Sequence, residues 1–357
     1  MDPHIQHNDD YFVFKEGEDY QSQVYDDDNG LINVFVKDAD TDDDFVGTCW
    51  PGDSVWVDFL NEKAQEYWGN LYGYNKFVGS SKIYHAWNDM NEPSVFDGPL
   101  KTIPGLARHF KADGRTVYHR DVHNAYGAFQ QRSSFDGILK RDDYTRRPFV
   151  LTRSFFVGSQ KYGAYWTGDN YTEDAEPYGA MKMILSNSLV GAMNGGSDVP
   201  GFIGNPTDEL YVRFYQLGAW MPFFRAHCDI NSQDRDPWDR SERVQAVIRD
   251  AINKRYDLMH YIYTTVQQAT QTGEPLMRTM WSEFPDDTTT YTVDTQFMFG
   301  KWFMVAPKIT APSAELESEQ KQSVTYTLPR NSQWYNSNNL RVVGTGQPVT
   351  EELDDLD

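Results

Sequence analysis

Two aspartates, Asp89 and Asp169, each follow a short strand-like run that contains a tryptophan. Asp89 lies in HAWNDMNEPSVF, residues 85–96, and Asp169 lies in YGAYWTGDN, residues 162–170. A buried carboxylate costs free energy unless polar partners replace the lost water, so an acid at the end of a buried strand needs a reason. Glycoside hydrolysis supplies one, because it uses two carboxyl groups that flank the scissile bond, one ionised and one protonated. Helix capping or pairing with arginine would also account for the pattern.

The segment from residue 79 to about residue 281 alternates between strand-like and helix-like runs. The strand candidates, rich in β-branched and aromatic residues, are Lys82–Trp87, Arg147–Thr152, Tyr162–Trp166, Val190–Met193 and Pro275–Met280. The clearest helix candidate is Glu242–Gln271, where apolar residues recur every three to four positions. Such alternation predicts a parallel sheet covered by helices.

Several strand candidates end in polar motifs, namely WNDMNE, TRS, WTGDN and GGSDVPG. The carboxyl ends of the strands carry the active site in a (β/α)8 barrel, and a doubly wound sheet uses the same edge. A doubly wound sheet usually adds a phosphate-binding loop, and neither GxGxxG nor GxxxxGK(S/T) occurs in this chain. The 80 positions between Asp89 and Asp169 place them two strands apart in a barrel if a βα unit takes roughly 31 to 40 residues.

The pattern changes after about residue 290. Residues 296–309 and 323–328 alternate in strand fashion and are punctuated by proline and glycine, which predicts an all-β region. We therefore expect an α/β chain with two domains. Residues 1–290 would form the domain with the parallel sheet, and residues 291–357 would begin an all-β C-terminal domain.

The composition argues against several classes of function. With 32 Lys and Arg against 53 Asp and Glu, the net charge of −21 disfavours nucleic acids and anionic membrane surfaces, which attract basic clusters. Aromatic residues make up 15% of the 357 residues, which suits either large cores or sites for the apolar faces of sugar rings.

Two distant cysteines, Cys49 and Cys228, support neither a disulfide framework nor a metal-ligand cluster. No membrane-spanning run and no signal peptide is visible. The acidic runs, which read as solvated loops and termini, are residues 26–28, 38–44 and 351–357.

The longest motifs resemble those of glycoside hydrolase family 31. WNDMNEPSVF is similar to the nucleophile signature of that family, and YGAYWTGDN is similar to its acid/base segment. The likeness extends from about residue 46 to about residue 305 through HRDVHNAYG, RPFVLTRSFFVGSQKYG, GGSDVPGFIGNP and RFYQLGAWMPFFRAH. It implies a retaining exo-α-glucosidase that needs no metal and no cofactor. The motifs are most similar to those of family members that remove α-1,3-linked glucose from N-glycan precursors in the endoplasmic reticulum.

By this resemblance Asp89 is the nucleophile that forms a β-glucosyl ester, and Asp169 is first the acid and then the base. We expect Asp89 to stay ionised through hydrogen bonds and a nearby cation, and Asp169 to be held protonated by burial and by the charge of Asp89. Residues similar to those that contact the glucose hydroxyls in the family are Arg153, Asp198, Arg225 and His227. Residues similar to those lining its pocket are Trp50, Trp87, Met90, Trp166 and Phe202. For any one of these aromatics taken alone, core packing is the alternative.

Three further features have competing interpretations. HRDVH, residues 119–123, spaces possible metal ligands, but we favour a loop-structuring role because the implied reaction needs no metal. Asn91 and Glu92 are expected to hold the nucleophile loop. Asn170 opens the glycosylation-type triplet Asn-Tyr-Thr, and a glycan beside Asp169 would block the pocket, so we predict that Asn170 carries none.

The chain opens with MDPHIQ, and in the family a similar DPHI segment lies at the end of the third barrel strand. The resemblance therefore implies that residues 1–290 form a partial catalytic (β/α)8 TIM barrel, strands four to eight, and that residues 291–357 begin a C-terminal domain of β-sandwich type. It also implies that this partial barrel is without an N-terminal β domain and without an upstream aspartate that would bind the distal glucose hydroxyls. A barrel of this kind would expose two sheet edges, so we expect the chain to fold poorly alone.

The expected partners are an α-glucoside or N-glycan substrate and, by resemblance, a non-catalytic β subunit. The same resemblance implies the endoplasmic reticulum lumen as the location of the parent protein. Two alternatives stay open at this point. One is an α-glucosidase acting on starch or maltose, or an α-xylosidase, of the same family. The other is an inactive truncated relative that at most binds carbohydrate or a partner chain.

Overall fold

The computed structural model describes residues 1–22, 25–26, 30–309 and 323–353. The chain divides into two compact units, Met1–Tyr165 and Trp166–Asp357, hereafter the first and the second unit. Parts of two acidic runs that we predicted to be solvated, residues 27–28 and 354–357, lie outside the described residues. None of the helices in the described ranges combines the length and the apolar character that crossing a bilayer requires.

Short strands alternate with helices along most of the chain. The strands are β1 (His4–Gln6), β2 (Tyr25–Asp26), β3 (Gly30–Leu31), β4 (Val46–Cys49), β5 (Gly52–Trp56), β6 (Ala86–Asn88), β7 (Arg108–Phe110), β8 (Thr116–Tyr118), β9 (Val150–Thr152), β10 (Gly163–Trp166), β11 (Gly195–Gly196), β12 (Asp198–Val199), β13 (Arg225–Ala226), β14 (Met277–Thr279), β15 (Phe297–Phe299), β16 (Phe303–Val305), β17 (Ser323–Thr327), β18 (Trp334–Tyr335), β19 (Val342–Gly344) and β20 (Pro348–Glu352). The helices are α1 (Phe12–Gln21), α2 (Glu62–Asn70), α3 (His119–Val122), α4 (Tyr126–Arg141), α5 (Glu176–Leu189), α6 (Asp208–Gly218), α7 (Glu242–Asp257), α8 (Met259–Thr272) and α9 (Met280–Glu283).

A parallel arrangement of β6, β9 and β10 organises the first unit. Trp87 lies opposite Leu151, and Asn88 and Tyr165 both lie opposite Thr152, on either side of β9. Because the strands run in the same direction, the loops that follow β6 and β9 leave from the same edge of the sheet. Helix α4 packs against both strands. The register therefore brings the segment after Asn88 next to the segment after Thr152.

An antiparallel sheet of order β1-β5-β4 and two closely packed helices complete the first unit. Helices α2 and α4 approach each other through two glycines, since a Cβ atom on Gly137 would lie 2.5 Å from the Cα of Gly69. Asn61 caps the N-terminus of helix α2, and its side chain accepts a hydrogen bond from the Lys63 backbone N–H. The core of this unit is rich in aromatic side chains, among them Phe14, Phe35, Phe59, Tyr67, Trp68, Tyr72 and Tyr126.

The second unit contains a parallel pair, β12 and β13, in which Asp198 lies opposite Arg225. Strands β14, β15 and β16 form an antiparallel sheet, and β17 with β20 and β18 with β19 form two antiparallel pairs. Thr207 caps the N-terminus of helix α6, and its hydroxyl accepts a hydrogen bond from the Leu210 backbone N–H. The core between the helices and β15 includes Met181, Ile184, Tyr211, Phe214, Val244, Ile248, Phe297 and Phe299.

The predicted strands agree with the structure mainly at their carboxyl ends. Strands β6 and β9 occupy only the last part of the predicted runs Lys82–Trp87 and Arg147–Thr152. The prediction of a strand at Val190–Met193 is wrong, because α5 continues to Leu189 and the chain then turns through Gly191. Gly191 has a φ of 88°, which glycine adopts at low cost, and β11 starts only after this turn.

The predicted helix Glu242–Gln271 is two helices, α7 and α8. They meet at Leu258, whose φ of −87° and ψ of 6° interrupt the helical path. The apolar periodicity continues through the break because Val244 and Ile262, on either side of it, belong to the same core. The predicted strand at 323–328 is confirmed by β17, and the predicted 296–309 run is the hairpin of β15 and β16. The proposed domain border at residue 290 stays a prediction.

Candidate active site

The candidate residues fall into both units. The first unit contains Trp50, Trp87, Asp89, Met90 and Arg153, and the second contains Trp166, Asp169, Asp198, Phe202, Arg225 and His227. Most of them lie within a few residues of the carboxyl end of a strand, as the motif positions predicted.

The loop that carries Asp89 begins directly after β6 and is held by Asn91. The Asn91 side chain donates from Nδ2 to Thr152 Oγ1 at 2.8 Å, and its Oδ1 accepts from the Ser154 backbone N–H at 2.8 Å. Met90 is buried and has a φ of 57°, so the chain turns sharply between Asp89 and Asn91. These bonds tie the loop after β6 to the loop after β9, which is the role we expected for Asn91.

Arg153 connects the Asp89 loop to the end of β9 through its guanidinium group. Its Nη1 lies 3.0 Å from Asp89 Oδ1, its Nε donates to Glu92 Oε1 at 2.6 Å, and its Nη2 lies 3.3 Å from Glu92 Oε2. Nη2 also lies 2.9 Å from the sulfur of Met90, and the Arg153 backbone N–H donates to the Asn88 carbonyl at 3.0 Å. The guanidinium is thus held in one orientation between two carboxylates.

Burial raises the pKa of Asp89 above its usual value, and the negative charges of Asp2 and Glu92 act in the same direction. The positive charge of Arg153 and a hydrogen bond from the Met90 backbone N–H lower the pKa but do not outweigh burial. The cation that we expected beside Asp89 is therefore present, while removal from water has the larger effect on the acid.

Two aromatic candidates of the first unit have different environments. Trp87 is half-buried on β6, two positions before Asp89. Trp50 follows β4, is 69% exposed and packs edge-on against Phe96 with ring centroids 4.7 Å apart. Core packing does not explain Trp50, because most of its indole faces solvent.

Asp198 and Arg225 form an ion pair in the second unit. Arg225 Nη2 donates to Asp198 Oδ1 at 2.5 Å, and the Asp198 side chain has no exposed surface. The guanidinium carbon of Arg225 also lies 5.0 Å from the ring centroid of the buried Trp166, a cation–π distance. The pairing of β12 with β13 places the two charged residues opposite each other and so explains the contact.

Asn170 braces the segment that contains Asp198. Its Nδ2 donates to Ser197 Oγ at 3.1 Å and to the Asp198 carbonyl at 3.2 Å, and its Oδ1 accepts from the Phe202 backbone N–H at 3.1 Å. Only 8% of Asn170 is exposed. A glycan on this side chain would have to replace these bonds, which agrees with the predicted absence of glycosylation.

Phe202 and His227 lie against each other, with ring centroids 5.2 Å apart. Burial, together with the positive charge of Arg225, lowers the pKa of His227 to about 4. The imidazole is therefore neutral near neutral pH and can donate one hydrogen bond and accept another.

Asp169 is exposed, which corrects our expectation that burial would hold it protonated. It follows Gly168, whose φ of 80° turns the chain after β10. In this turn the next residue, Asn170, takes the buried position and Asp169 faces outward.

The HRDVH motif contributes His119 to a buried chain of hydrogen bonds. His109 Nδ1 lies 2.7 Å from Asp58 Oδ1, and His109 Nε2 lies 2.9 Å from His119 Nδ1. All three side chains are buried. These contacts favour the loop-structuring role over metal binding.

Two contacts between motifs were missed by reasoning from the sequence. One is the pair of bonds from Arg153 to Glu92, and the other is the bracing of Ser197 by Asn170. A signal for the first was present, since WNDMNE and TRS follow strands of one parallel sheet and their next residues must be neighbours.

Comparison with known proteins agrees with these motifs. The glycosyl hydrolases family 31 TIM-barrel domain matches residues 1–265, and the family 31 C-terminal domain matches residues 273–356. A probable glucan 1,3-alpha-glucosidase from Oryza sativa subsp. japonica is 42% identical over 339 residues, which are 95% of this chain and 34% of that protein. Neutral alpha-glucosidase C from Homo sapiens is 41% identical over 335 residues, 94% of this chain and 34% of its own length.

A solved structure shows the same fold. The crystal structure of the ER glucosidase II heterodimeric complex, consisting of a catalytic subunit and the binding domain of a regulatory subunit, matches with a TM-score of 0.88 and 34% identity. The match covers 99% of this chain and 36% of the solved one. The chain thus spans about a third of the length of the relatives that it matches. The chain matches the TIM-barrel domain of glycosyl hydrolase family 31 and, after it, the C-terminal domain of the same family, and it therefore belongs to that family.

Proposed function

We propose that this chain carries the catalytic groups of a retaining exo-α-glucosidase that removes terminal α-linked glucose. The observation that supports the proposal most directly is the setting of Asp89. Its carboxylate stands 3.0 Å from a guanidinium group that Glu92 holds in place. A carboxylate fixed in this way at the end of a barrel strand suits a nucleophile that must attack one carbon atom in one direction.

The proposed reaction has two displacements. First, an Asp89 carboxylate oxygen forms a bond to the anomeric carbon while the bond to the leaving oxygen breaks, and the Asp169 carboxyl group gives its proton to that oxygen. Second, a water oxygen attacks the same carbon and the ester bond to Asp89 breaks, while the Asp169 carboxylate takes the proton of the water. Two inversions leave the glucose in its original α configuration.

Arg153 is assigned to the control of charge at Asp89. The guanidinium stabilises the carboxylate before attack, when its negative charge is complete, and this attraction weakens as the ester forms. Its second carboxylate partner, Glu92, keeps the guanidinium in place in both states. Glu92 is therefore a positioning residue and does not itself need to touch the substrate.

Glucose recognition is assigned to the second unit. Asp198 and Arg225 form an ion pair with each other, and charged groups of this kind make strong and directional hydrogen bonds to hydroxyls. The neutral imidazole of His227 can accept a bond from one hydroxyl and donate to another. The buried Trp166 supports the Arg225 guanidinium through the cation–π contact. In the first unit, the exposed Trp50 offers a flat face of the kind that suits the apolar side of a sugar ring.

The finer assignments follow the named relatives. Since a probable glucan 1,3-alpha-glucosidase and an ER glucosidase II are similar to this chain, we propose α-1,3-linked glucose of N-glycan precursors as the substrate. We further propose the endoplasmic reticulum lumen as the location and a regulatory subunit as the partner, as in the solved complex. In the fold, we propose that β6 and the strands after it are the fourth to eighth of the barrel and that the last strands begin a β-sandwich.

Chemical rescue tests the two catalytic roles separately. Asp89→Ala should abolish hydrolysis of a phenyl α-glucoside, and added azide should then yield the β-glucosyl azide by a single displacement. With a 2,4-dinitrophenyl α-glucoside, whose leaving group needs no protonation, Asp169→Ala should accumulate the ester, and azide should yield the α-glucosyl azide. Asp113→Ala, which removes an exposed acid of the first unit, is the control and should hydrolyse the substrate normally.

Two outcomes would overturn the catalytic roles assigned to Asp89 and Asp169. Undiminished hydrolysis by Asp89→Ala, or the same azide anomer from both variants, would remove one or both roles. Rates on nigerose, maltose and a phenyl α-xyloside then rank the α-1,3 substrate against the starch-type and xylose-type alternatives.

A further inference from the structure

A cleft in the second unit shares no residue with the candidate active site. It has a volume of about 650 Å³ and is formed by the end of α7, the β15–β16 hairpin and the loop between β18 and β19. Pockets of roughly 300 to 1,000 Å³ are the usual size for small ligands. We propose that this cleft binds a neutral oligosaccharide, independently of hydrolysis.

Aromatic side chains form the floor and wall of the cleft. They are Trp220, Trp302, Phe303, Tyr326, Trp334 and Tyr335. Trp302 is 78% exposed and Tyr335 is 54% exposed. Such large exposed rings cost free energy in water unless a ligand or partner covers them. Flat rings open to solvent suit the apolar face of a sugar.

Three of the rings, those of Trp220, Phe303 and Trp334, are supported from behind, so their positions do not depend on a ligand. The Trp334 Nε1–H donates to the Pro329 carbonyl at 3.3 Å, and its ring packs against Phe284 at 6.0 Å. Trp220 packs against Phe303 with centroids 6.0 Å apart. A preformed surface of this kind loses little conformational entropy when it binds.

Amide and hydroxyl groups form one side of the cleft, in the loop Asn336–Leu340. The loop is closed by hydrogen bonds from the Leu340 backbone N–H to the Asn336 carbonyl at 2.8 Å and from the Asn338 N–H to Asn336 Oδ1 at 2.9 Å. The side chains of Ser337 and Asn338 are left exposed at the cleft. Amides and hydroxyls both donate and accept, as sugar hydroxyls do.

The charges around the cleft favour a neutral ligand. One cation, Lys254, stands against two carboxylates, Asp257 and Glu351, and Glu351 accepts a hydrogen bond from Tyr326 at 2.6 Å. Phosphate or nucleotide ligands would meet a net negative lining on a chain of charge −21. A lipid tail would leave the loop amides unpaired. An uncharged sugar chain meets both the rings and the amides without either cost.

Binding to the full chain can be measured by isothermal titration calorimetry with maltotriose and nigerotriose as probes. Saturating 1-deoxynojirimycin, a glucose-mimicking iminosugar, occupies the candidate active site during the titration. We expect a binding event to persist and Trp302→Ala to weaken it about tenfold or more, as loss of a central aromatic anchor does. Trp238→Ala is the matched control, since Trp238 is a 69% exposed indole of the same unit outside the cleft.

Tyr335→Ala gives an independent second variant, and each variant is accepted only with an unchanged melting temperature. The proposal is overturned if neither probe binds in the presence of the iminosugar, or if Trp302→Ala binds as Trp238→Ala does. It is also overturned if the wild-type chain sediments as a dimer that Trp302→Ala dissociates, because a second copy then covers the cleft. Hydrolysis of a phenyl α-glucoside by both tryptophan variants should be normal, which separates this test from that of the catalytic roles.

Discussion

Glu92 and Arg153 form a two-point ion pair, with Glu92 Oε1 2.6 Å from Nε and Oε2 3.3 Å from Nη2. These two bonds occupy one edge of the guanidinium and leave Nη1 facing Asp89 Oδ1 at 3.0 Å. A residue three positions after Asp89 thus sets the orientation of the cation beside it. The geometry makes the contribution of each partner separable by mutation.

Replacing Glu92 by glutamine should impair catalysis while the fold is retained. The amide keeps the shape of the side chain but loses the charge that orients Arg153, and a lost charged hydrogen bond costs roughly 1.5 to 3 kcal/mol. We expect kcat on a phenyl α-glucoside to fall roughly 10- to 100-fold with a smaller change in KM. Asp113→Asn, at an exposed acid of the same unit, is the control. An unchanged kcat for Glu92→Gln would contradict the positioning role.

Replacing Arg153 by glutamine should move the acidic limb of the pH profile. The Arg153 charge lowers the pKa of Asp89, so its removal raises that pKa and a higher pH is needed to ionise the carboxylate. The limb of kcat/KM should move upward by about one pH unit or more. Arg115→Gln, at an exposed arginine of the first unit, should leave the limb in place. Movement to lower pH would show that Arg153 does not stabilise the Asp89 carboxylate.

Asn170 should carry no glycan even when the chain is made in a secretory host. Its side chain is buried and both amide atoms are bonded, so a glycan on Asn170 would be incompatible with the folded segment. The measurement is mass spectrometry of the peptide that contains Asn170, with and without glycosidase treatment. A glycan-bearing peptide from folded protein would refute the prediction.

Acid should destabilise the fold through His119. Burial lowers the pKa of His119 to about 3, below its ordinary value of 6.5, so the unfolded chain binds a proton that the folded chain does not. Stability from this group is therefore complete above about pH 6.5 and declines as the pH falls toward about 3, by up to roughly 1.4 kcal/mol per pH unit.

Urea unfolding at about pH 7.5 and about pH 5.5 measures this effect. The difference in unfolding free energy between the two pH values should be smaller for His119→Gln than for the wild type. His260→Gln, at an exposed histidine, should keep the wild-type difference. Equal pH dependence in all three proteins would exclude His119 as the cause.

Local sequence patterns gave wrong predictions at three places where the surrounding chain decides the structure. Periodicity predicted one helix over 242–271, and the break at Leu258 escaped it because apolar spacing continues across two helices that share a core. The apolar run at Val190–Met193 looked like a strand, but it lies in the turn after α5, where the chain reverses through Gly191. Burial of Asp169 was also expected wrongly, since a single left-handed glycine decides which neighbour faces inward.

The sequence by itself determined the family, and it marked Asp89 and Asp169 as the candidate carboxylates. Long motifs such as WNDMNEPSVF are local, so residue types at fixed spacing carry that information without coordinates. Only the tertiary structure decided which groups meet. Glu92 and Arg153 are 61 positions apart and touch because β6 and β9 pair in parallel. Strand register and side-chain direction determine such contacts, and local sequence patterns specify neither of them.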